Sequence, residues 1–133
     1  MQARRTAFFV SDRTGITAEM LGHSLLTQFE SQGFREVTVP FVDTPEKARE
    51  LVERINQRAA LDGVRPLVIG TLVDPDLGSI LAQAEACYLD CFQTFIQPLE
   101  AELGVKSSHT VGRSHSAHDV INYHERIESI NYA

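Results

Sequence analysis

The chain has 133 residues, a length that suits one domain able to bury a hydrophobic core without disulfides or structural metals. Apolar residues make up 43% and charged residues 23%, as in ordinary globular proteins. The net charge of −6 argues against nonspecific nucleic-acid binding, which needs a basic face. Because we find neither a run of about 20 apolar residues nor a signal-peptide pattern, we expect no membrane association and a cytoplasmic location.

The first predicted elements are a strand, a polar loop and a helix. The apolar run Ala7–Val10 is too short for a helix and predicts a buried strand. The helix is predicted to begin at Thr17, whose hydroxyl is placed to cap the first turn. Its apolar stripe continues to about Phe29, and Gly33 is placed to end it.

A second strand and a second helix follow. Apolar and polar residues alternate from Val37 to Phe41, and Pro40 indicates an edge position or the end of the strand. The segment Asp43–Glu46 combines capping residues with a proline and an acid, which predicts a helix start. Gly63 closes this helix.

The third strand is predicted from the continuous apolar run Pro66–Val73, which is typical of a buried parallel strand. Asp74 and Pro75 repeat the pattern of a cap followed by proline and start another helix. The segment from Cys87 to Phe92 fits either a fourth short strand or a continuation of that helix. Both interpretations stay open on the sequence alone.

The last part of the chain predicts two more helices separated by a polar segment. Phe95–Leu103 is expected to be helical, with Pro98 in its first turn and Gly104 at its end. We therefore divide the chain into an α/β domain over residues 1–104, a polar loop or linker over 105–117 and a C-terminal helix over 118–133.

Alternating strands and helices predict a three-layer α/β fold, with a mostly parallel Rossmann- or flavodoxin-like sheet of about four strands. In such sheets ligands bind beyond the carboxyl ends of the strands, where the strand order reverses. With the order 2-1-3-4, that crevice lies between the first and third strands. Residues 11–17 and 71–74 would then face one another across it.

The loop after the first strand has the composition of an anion site. Hydroxyl groups and a glycine precede a helix N-terminus, where free amides and the helix dipole favour negative charge. Arg13 would add a planar cation suited to phosphate, and Asp12 is the carboxylate to which we assign a functional role. The candidate phosphate- or nucleotide-binding residues are Ser11, Asp12, Arg13, Thr14, Gly15, Thr17, Thr71 and Asp74. An ordinary strand-to-helix turn is the alternative, and spacing alone does not decide between them.

Three other groups of residues favour structural interpretations. Cys87 and Cys91 are the two cysteines, too few for a zinc site or a disulfide framework, and we interpret them as buried free thiols. His23 is expected to be a packed or surface histidine. The histidines at 109, 115, 118 and 124 match no standard zinc spacing, so we predict a solvated linker and no metal site.

The stretch Ser11–Phe29 closely resembles the phosphoenolpyruvate synthase regulatory protein family, which is related to the pyruvate, phosphate dikinase regulatory protein of plants. The resemblance extends over essentially all of the chain. Further matching segments are Val39–Val42, Arg65–Val68, Thr71–Val73, Tyr123 and Arg126–Ile130.

This resemblance implies a bifunctional serine/threonine kinase and pyrophosphorylase. Such proteins use ADP to phosphorylate and inactivate the synthase or dikinase, and use inorganic phosphate to reverse the modification, releasing pyrophosphate. Their catalytic domain contains a phosphate-binding loop of the type Gly-x-x-x-x-Gly-Lys-Ser/Thr, which does not occur in this sequence. The resemblance therefore implies a regulatory or substrate-docking N-terminal domain, followed in the family by a catalytic domain absent here.

For this chain alone the resemblance implies no catalytic residues, no cofactor and no kinase activity. ADP and inorganic phosphate would be ligands of the full-length protein, and phosphoenolpyruvate synthase would be its partner. The sequence leaves open whether the protein forms a homodimer. Arg13 departs from the family, which often has glycine at that position, so its role is open too. The alternatives are a stand-alone nucleotide- or phosphate-binding module and a purely structural dimerisation domain.

Overall fold

The computed structural model describes residues 4–108 and contains a sheet of four parallel strands. The strands are β1 (Arg5–Val10), β2 (Phe34–Val39), β3 (Leu67–Gly70) and β4 (Cys87–Asp90). Their order is β2-β1-β3-β4, so the predicted α/β fold and the predicted strand order are confirmed. The strand order therefore reverses between β1 and β3, and in α/β sheets the carboxyl ends of the two strands at such a switch point flank a crevice.

Helices follow each strand. They are α1 (Ile16–Leu26), a 3₁₀ segment (Thr27–Gln32), α2 (Pro45–Asp62), α3 (Pro75–Leu81), a π-helical turn (Phe92–Ile96) and α4 (Gln97–Leu103). In the described part of the chain, no helix is long and apolar enough to cross a bilayer. The helix predicted over 118–133, most of the predicted linker and the four clustered histidines lie outside the described residues.

The two faces of the sheet are covered differently. On one face, Phe8, Val10 and Val68 pack against α2 and α3 in the larger hydrophobic cluster. On the other face, Phe9 and Ile69 form a smaller cluster with α1. Beside α1 that second face carries an apolar groove of about 640 Å³. The helices thus lie on both sides of the sheet, as the three-layer prediction requires.

The predicted helix boundaries with a clear chemical cause are confirmed. Thr44 caps α2, since its hydroxyl accepts a hydrogen bond from the Lys47 amide at 3.2 Å. Gly63 and Gly104 end α2 and α4 in the left-handed conformation that glycine adopts without steric cost. Pro98 lies in the first turn of α4, where its missing N–H is not needed.

The prediction that Thr17 caps α1 is wrong. Gly15 occupies the N-cap position with φ 88°, and Thr17 lies one residue inside the helix with an exposed side chain. The left-handed conformation of glycine turns the chain before the threonine is reached. The regular helix also ends earlier than predicted, at Leu26, because Phe29 adopts non-helical angles within the 3₁₀ segment.

Two predicted strands end earlier than their apolar patterns indicated, and β2 also begins earlier, at Phe34 instead of Val37. β2 ends at Val39, because Pro40 has no N–H and Phe41 adopts the left-handed region with φ 60°. β3 ends at Gly70, after which the chain turns into the crevice. The edge position that Pro40 indicated for β2 is confirmed by the strand order.

The first four residues of the ambiguous segment after α3 form a strand, β4, whereas Cys91 and Phe92 are already helical. Tertiary pairing decides this, because Cys87 to Asp90 align in parallel with Leu67 to Gly70. Cys87 and Cys91 are free thiols, but they are half-buried and not fully buried as predicted. Burial raises the pKa of Cys91 to about 11, so that thiol stays protonated and weakly nucleophilic at neutral pH.

Candidate functional site

The loops that follow β1 and β3 meet at the crevice, as predicted. The Thr71 amide donates to the Val10 carbonyl at 2.9 Å and extends the pairing of the two strands by one residue. Beyond it, the Asp12 carboxylate accepts a hydrogen bond through Oδ2 from the Val73 amide at 3.2 Å. Asp12 therefore joins the two loops directly.

Asp12 also carries an unsatisfied acceptor. Its Oδ1 atom is buried and has no hydrogen-bond partner among the described residues. A buried polar atom without a partner is costly, and in native proteins such an atom calls for an explanation. A ligand that donates a hydrogen bond into the crevice would satisfy this oxygen.

Ser11 orders the loop from within. It is 2% exposed, and its Oγ accepts a hydrogen bond from the Arg13 amide at 3.0 Å. Its own amide donates to Val39, and its carbonyl accepts from Val42, so the loop is tied to the end of β2. The buried Ser11 side chain therefore positions the loop.

The N-terminus of α1 opens at this edge of the sheet. The first i to i−4 bond of the helix joins the Glu19 amide to the Gly15 carbonyl at 2.9 Å. The amides of residues 16–18 come before that bond and lie at the positive end of the helix dipole. The Thr17 side chain is exposed in this first turn. This arrangement can hold an anionic group.

Gly15 is required for this geometry. Its φ of 88° strains any residue with a Cβ, and a Cβ at this position would lie 2.8 Å from Thr38 Cγ2. The absence of a side chain thus allows the helix N-terminus to lie against the end of β2.

The remaining predicted site residues differ in their roles. Asp74 caps α3, because its carboxylate accepts from the Asp76 amide at 2.9 Å. Thr71 is 3% exposed and points its hydroxyl toward the Val10 carbonyl at 3.5 Å. Arg13 is half-buried in the loop, and its carbonyl accepts from the Phe41 amide at 2.8 Å. The crevice therefore brings Ser11 to Thr17 together with Thr71, whereas Asp74 serves its helix.

Sequence reasoning missed two features of the crevice. The first is the hydrogen bond that the Val73 amide donates to Asp12. The second is Phe41, an exposed aromatic residue beside the loop, with 54% of its surface accessible. Pro40 was the available signal for Phe41, since a strand that ends at proline releases the next residue from the sheet. For Val73 the sequence held no signal, because the bond joins residues 61 positions apart.

His23 and the acidic residues elsewhere have ordinary surroundings. His23 is exposed, and its Nδ1 lies 2.9 Å from the Glu36 carboxylate. Asp43 lies just before α2 and pairs with the exposed Lys47 of its first turn at 2.8 Å. Within residues 4–108, no cluster of three or more histidine, cysteine or acidic side chains is arranged to hold a metal ion.

The four-stranded parallel sheet, with helices on both faces and a glycine-containing polar loop at its switch point, defines a three-layer, Rossmann-like α/β domain. The family model described as "Kinase/pyrophosphorylase" matches residues 7–133. The chain belongs to this kinase/pyrophosphorylase family.

Curated relatives agree with this assignment. A protein of Janthinobacterium sp. (strain Marseille) is 55% identical over 97% of this chain and 45% of its own length. A protein of Pseudomonas aeruginosa (strain LESB58) is 52% identical over 100% of this chain and 48% of its own length. Both carry the name "Putative phosphoenolpyruvate synthase regulatory protein". The chain thus spans about half the length of these relatives.

Proposed function

We propose that the chain forms the N-terminal half of a cytoplasmic regulator that phosphorylates phosphoenolpyruvate synthase with ADP and reverses this with inorganic phosphate. The family description and the names of the relatives support this proposal. The sequence contains no Gly-x-x-x-x-Gly-Lys loop, so we assign phosphoryl transfer to the other half of the full-length protein. The described half then serves regulation or substrate docking.

Within this half, the crevice between β1 and β3 is proposed to bind a nucleotide. The observation that carries this is Asp12, which joins the two loops through one oxygen and leaves the other buried without a partner among the described residues. A carboxylate repels phosphate but accepts hydrogen bonds from hydroxyl groups. A nucleotide can bind to both parts of the site, because its ribose hydroxyls can donate to Asp12 while its phosphates lie at the α1 N-terminus.

Arg13 has a defined part in this proposal. It follows Asp12 directly, and its positive charge offsets the repulsion between that carboxylate and a bound phosphate. The departure from the glycine common in the family then adds a phosphate contact to the loop.

The test uses a full-length protein in which residues 1–133 of this chain are joined to the second half of the Pseudomonas aeruginosa relative. Asp12→Asn and Arg13→Ala are compared with the unmodified protein, and Glu53→Gln on the exposed surface of α2 serves as the control. We expect each loop variant to lower ADP-dependent phosphorylation of the synthase at least about tenfold, the effect of losing one charge-assisted hydrogen bond. Unchanged phosphorylation, reversal and synthase binding in both variants would refute the role of the crevice.

A further inference from the structure

A second cavity lies at the carboxyl ends of β3 and β4, separate from the α1 N-terminus. It has a volume of about 230 Å³ and is enclosed by α3, the end of β4, the π-helical turn and α4. Its polar lining includes Ser79, Tyr88, Asp90, Gln93, Gln97 and Glu100. Apolar side chains, among them Leu72 and Ile96, complete the wall. This combination of apolar walls and converging polar groups is typical of small-molecule sites.

The Tyr88 hydroxyl is an unsatisfied group in this wall. Its oxygen is buried and has no hydrogen-bond partner among residues 4–108. The side chain lies against two glycines, since an added Cβ would be 3.1 Å from its ring at Gly70 and 3.4 Å from its oxygen at Gly78. Burial raises the pKa of Tyr88, so the hydroxyl keeps its proton and offers a donor.

Asp90 supplies a fixed acceptor in the same wall. Its Oδ1 accepts hydrogen bonds from the amides of Phe92 at 2.8 Å and Gln93 at 3.3 Å, which hold the carboxylate in one orientation. Glu100 adds a second acid, and none of the described lining residues is basic. The cavity is therefore electronegative and disfavours phosphate or any other anion.

The π-helical turn is an independent observation at the same place. It spans Phe92–Ile96 and contributes Phe92, Gln93 and Ile96 to the cavity wall. Such turns are rare, and they occur frequently at functional sites because the extra residue re-aims side chains. The turn thus coincides with the cavity and with the unsatisfied hydroxyl.

We infer that this cavity binds a compact, uncharged molecule that carries hydroxyl groups, of the nucleoside or sugar class. Tyr88 donates to a ligand oxygen, Asp90 accepts from a ligand hydroxyl, and the apolar wall contacts the nonpolar face of the ligand. This site goes beyond the proposed function, because it would bind a neutral ligand and its residues differ from those of the crevice. Val73 lies in the cavity wall and also donates to Asp12, so the two sites adjoin.

The test is an NMR titration of the chain with adenosine and with ribose, each followed through backbone amide shifts, with inorganic phosphate as the anionic contrast. We expect saturable shifts over residues 88–97 with adenosine or ribose and none there with phosphate. The absence of saturable shifts with both neutral probes at millimolar concentration would overturn the inference. So would shifts confined to residues 11–17, which instead would support the crevice.

Tyr88→Phe separates ligand binding from folding. The variant keeps the ring and removes only a hydroxyl without a partner in the described residues, so the free protein should be as stable as the wild type or more so. Its affinity for adenosine should fall about fivefold to tenfold, the value of one hydrogen bond. Ser24→Ala, which removes an exposed hydroxyl from α1, should bind adenosine normally. Wild-type affinity in Tyr88→Phe would refute the assignment.

Discussion

Replacing Gly22 with alanine is expected to destabilise the domain by about 2 kcal/mol, because there is no room for a methyl group at this position. A Cβ on Gly22 would lie 2.3 Å from Cε1 of Phe9, and Phe9 is completely buried in β1. The ring cannot move away without displacing the small core between α1 and the sheet. The steric cost exceeds the gain of up to about 1 kcal/mol that alanine normally gives within a helix.

Gly78 provides the matched control, since it is also a buried glycine within a helix. A Cβ there would meet its neighbours at 3.4 and 3.5 Å, which is ordinary van der Waals contact. Gly78→Ala should therefore be neutral or slightly stabilising. Urea unfolding of both variants measures the difference, and equal stability of Gly22→Ala and wild type would show that α1 does not lie this close to β1.

Replacing Asp62 with alanine is expected to cost about 2 kcal/mol of unfolding free energy, because the carboxylate is the centre of a buried cluster. The Asp62 side chain is 3% exposed and accepts hydrogen bonds from Arg58 at 2.7 Å and from the Thr6 hydroxyl at 3.0 Å. Arg35 lies 3.6 Å away. The substitution leaves the buried Thr6 hydroxyl without this acceptor.

The contribution of Asp62 to the free energy of unfolding depends on pH, and the shift of its pKa determines the direction. The hydrogen bond from Arg58, with a further contribution from Thr6, holds the pKa of Asp62 below its ordinary value of about 4. Because the pKa of Asp62 is lower in the folded state, the ionised carboxylate stabilises the fold fully at pH values above its ordinary pKa. This stabilisation is lost as the pH falls through the lowered pKa. The difference between wild type and Asp62→Ala should thus be constant near neutral pH and shrink below about pH 4.

Asp43→Ala is the control for this prediction. Asp43 precedes the N-cap of α2 and pairs with Lys47 in the first turn of the helix, but both side chains are about half exposed. Exposed pairs contribute little to stability, so the unfolding transition should barely change. If Asp62→Ala behaved like Asp43→Ala, the cluster around Asp62 would have no stabilising role.

The sequence was informative where a local chemical rule sets the structure. Thr44 and Asp74 are followed directly by proline, and both cap their helices as this pattern predicted. The apolar runs of β1 and β3 marked the two central strands, and the order of the elements then restricted the sheet to few topologies.

The sequence was less informative where contacts between distant residues determine the structure. The segment Cys87–Asp90 is a strand because it pairs with β3, which its own residues did not reveal. The N-cap of α1 is Gly15 and not the predicted Thr17, because α1 lies close to β2 and only glycine allows this approach. The bond between Asp12 and Val73, and the Tyr88 hydroxyl that has no partner within residues 4–108, result from contacts between distant segments, which no local pattern of residues indicates.

The crevice and the cavity lie at the same edge of the sheet and differ in charge. In our proposal, the crevice at β1 and β3 would offer the α1 N-terminus and Arg13 to a nucleotide phosphate, whereas the cavity at β3 and β4 is lined by Asp90 and Glu100. Val73 belongs to both. If both proposed sites bind their ligands, binding at either would affect the other through the loop that follows β3, as expected of the proposed regulatory half.

The most direct measurement is a calorimetric titration of the chain with ADP, AMP and inorganic phosphate, one at a time. The proposal predicts saturable heat with ADP, lost when Asp12→Asn or Arg13→Ala removes the crevice contacts. At a ligand concentration about 100 times the dissociation constant, ADP should also raise the unfolding free energy by about 2.7 kcal/mol. No saturable heat with ADP or AMP, or heat unchanged by both substitutions, would contradict the claim that this crevice binds a nucleotide.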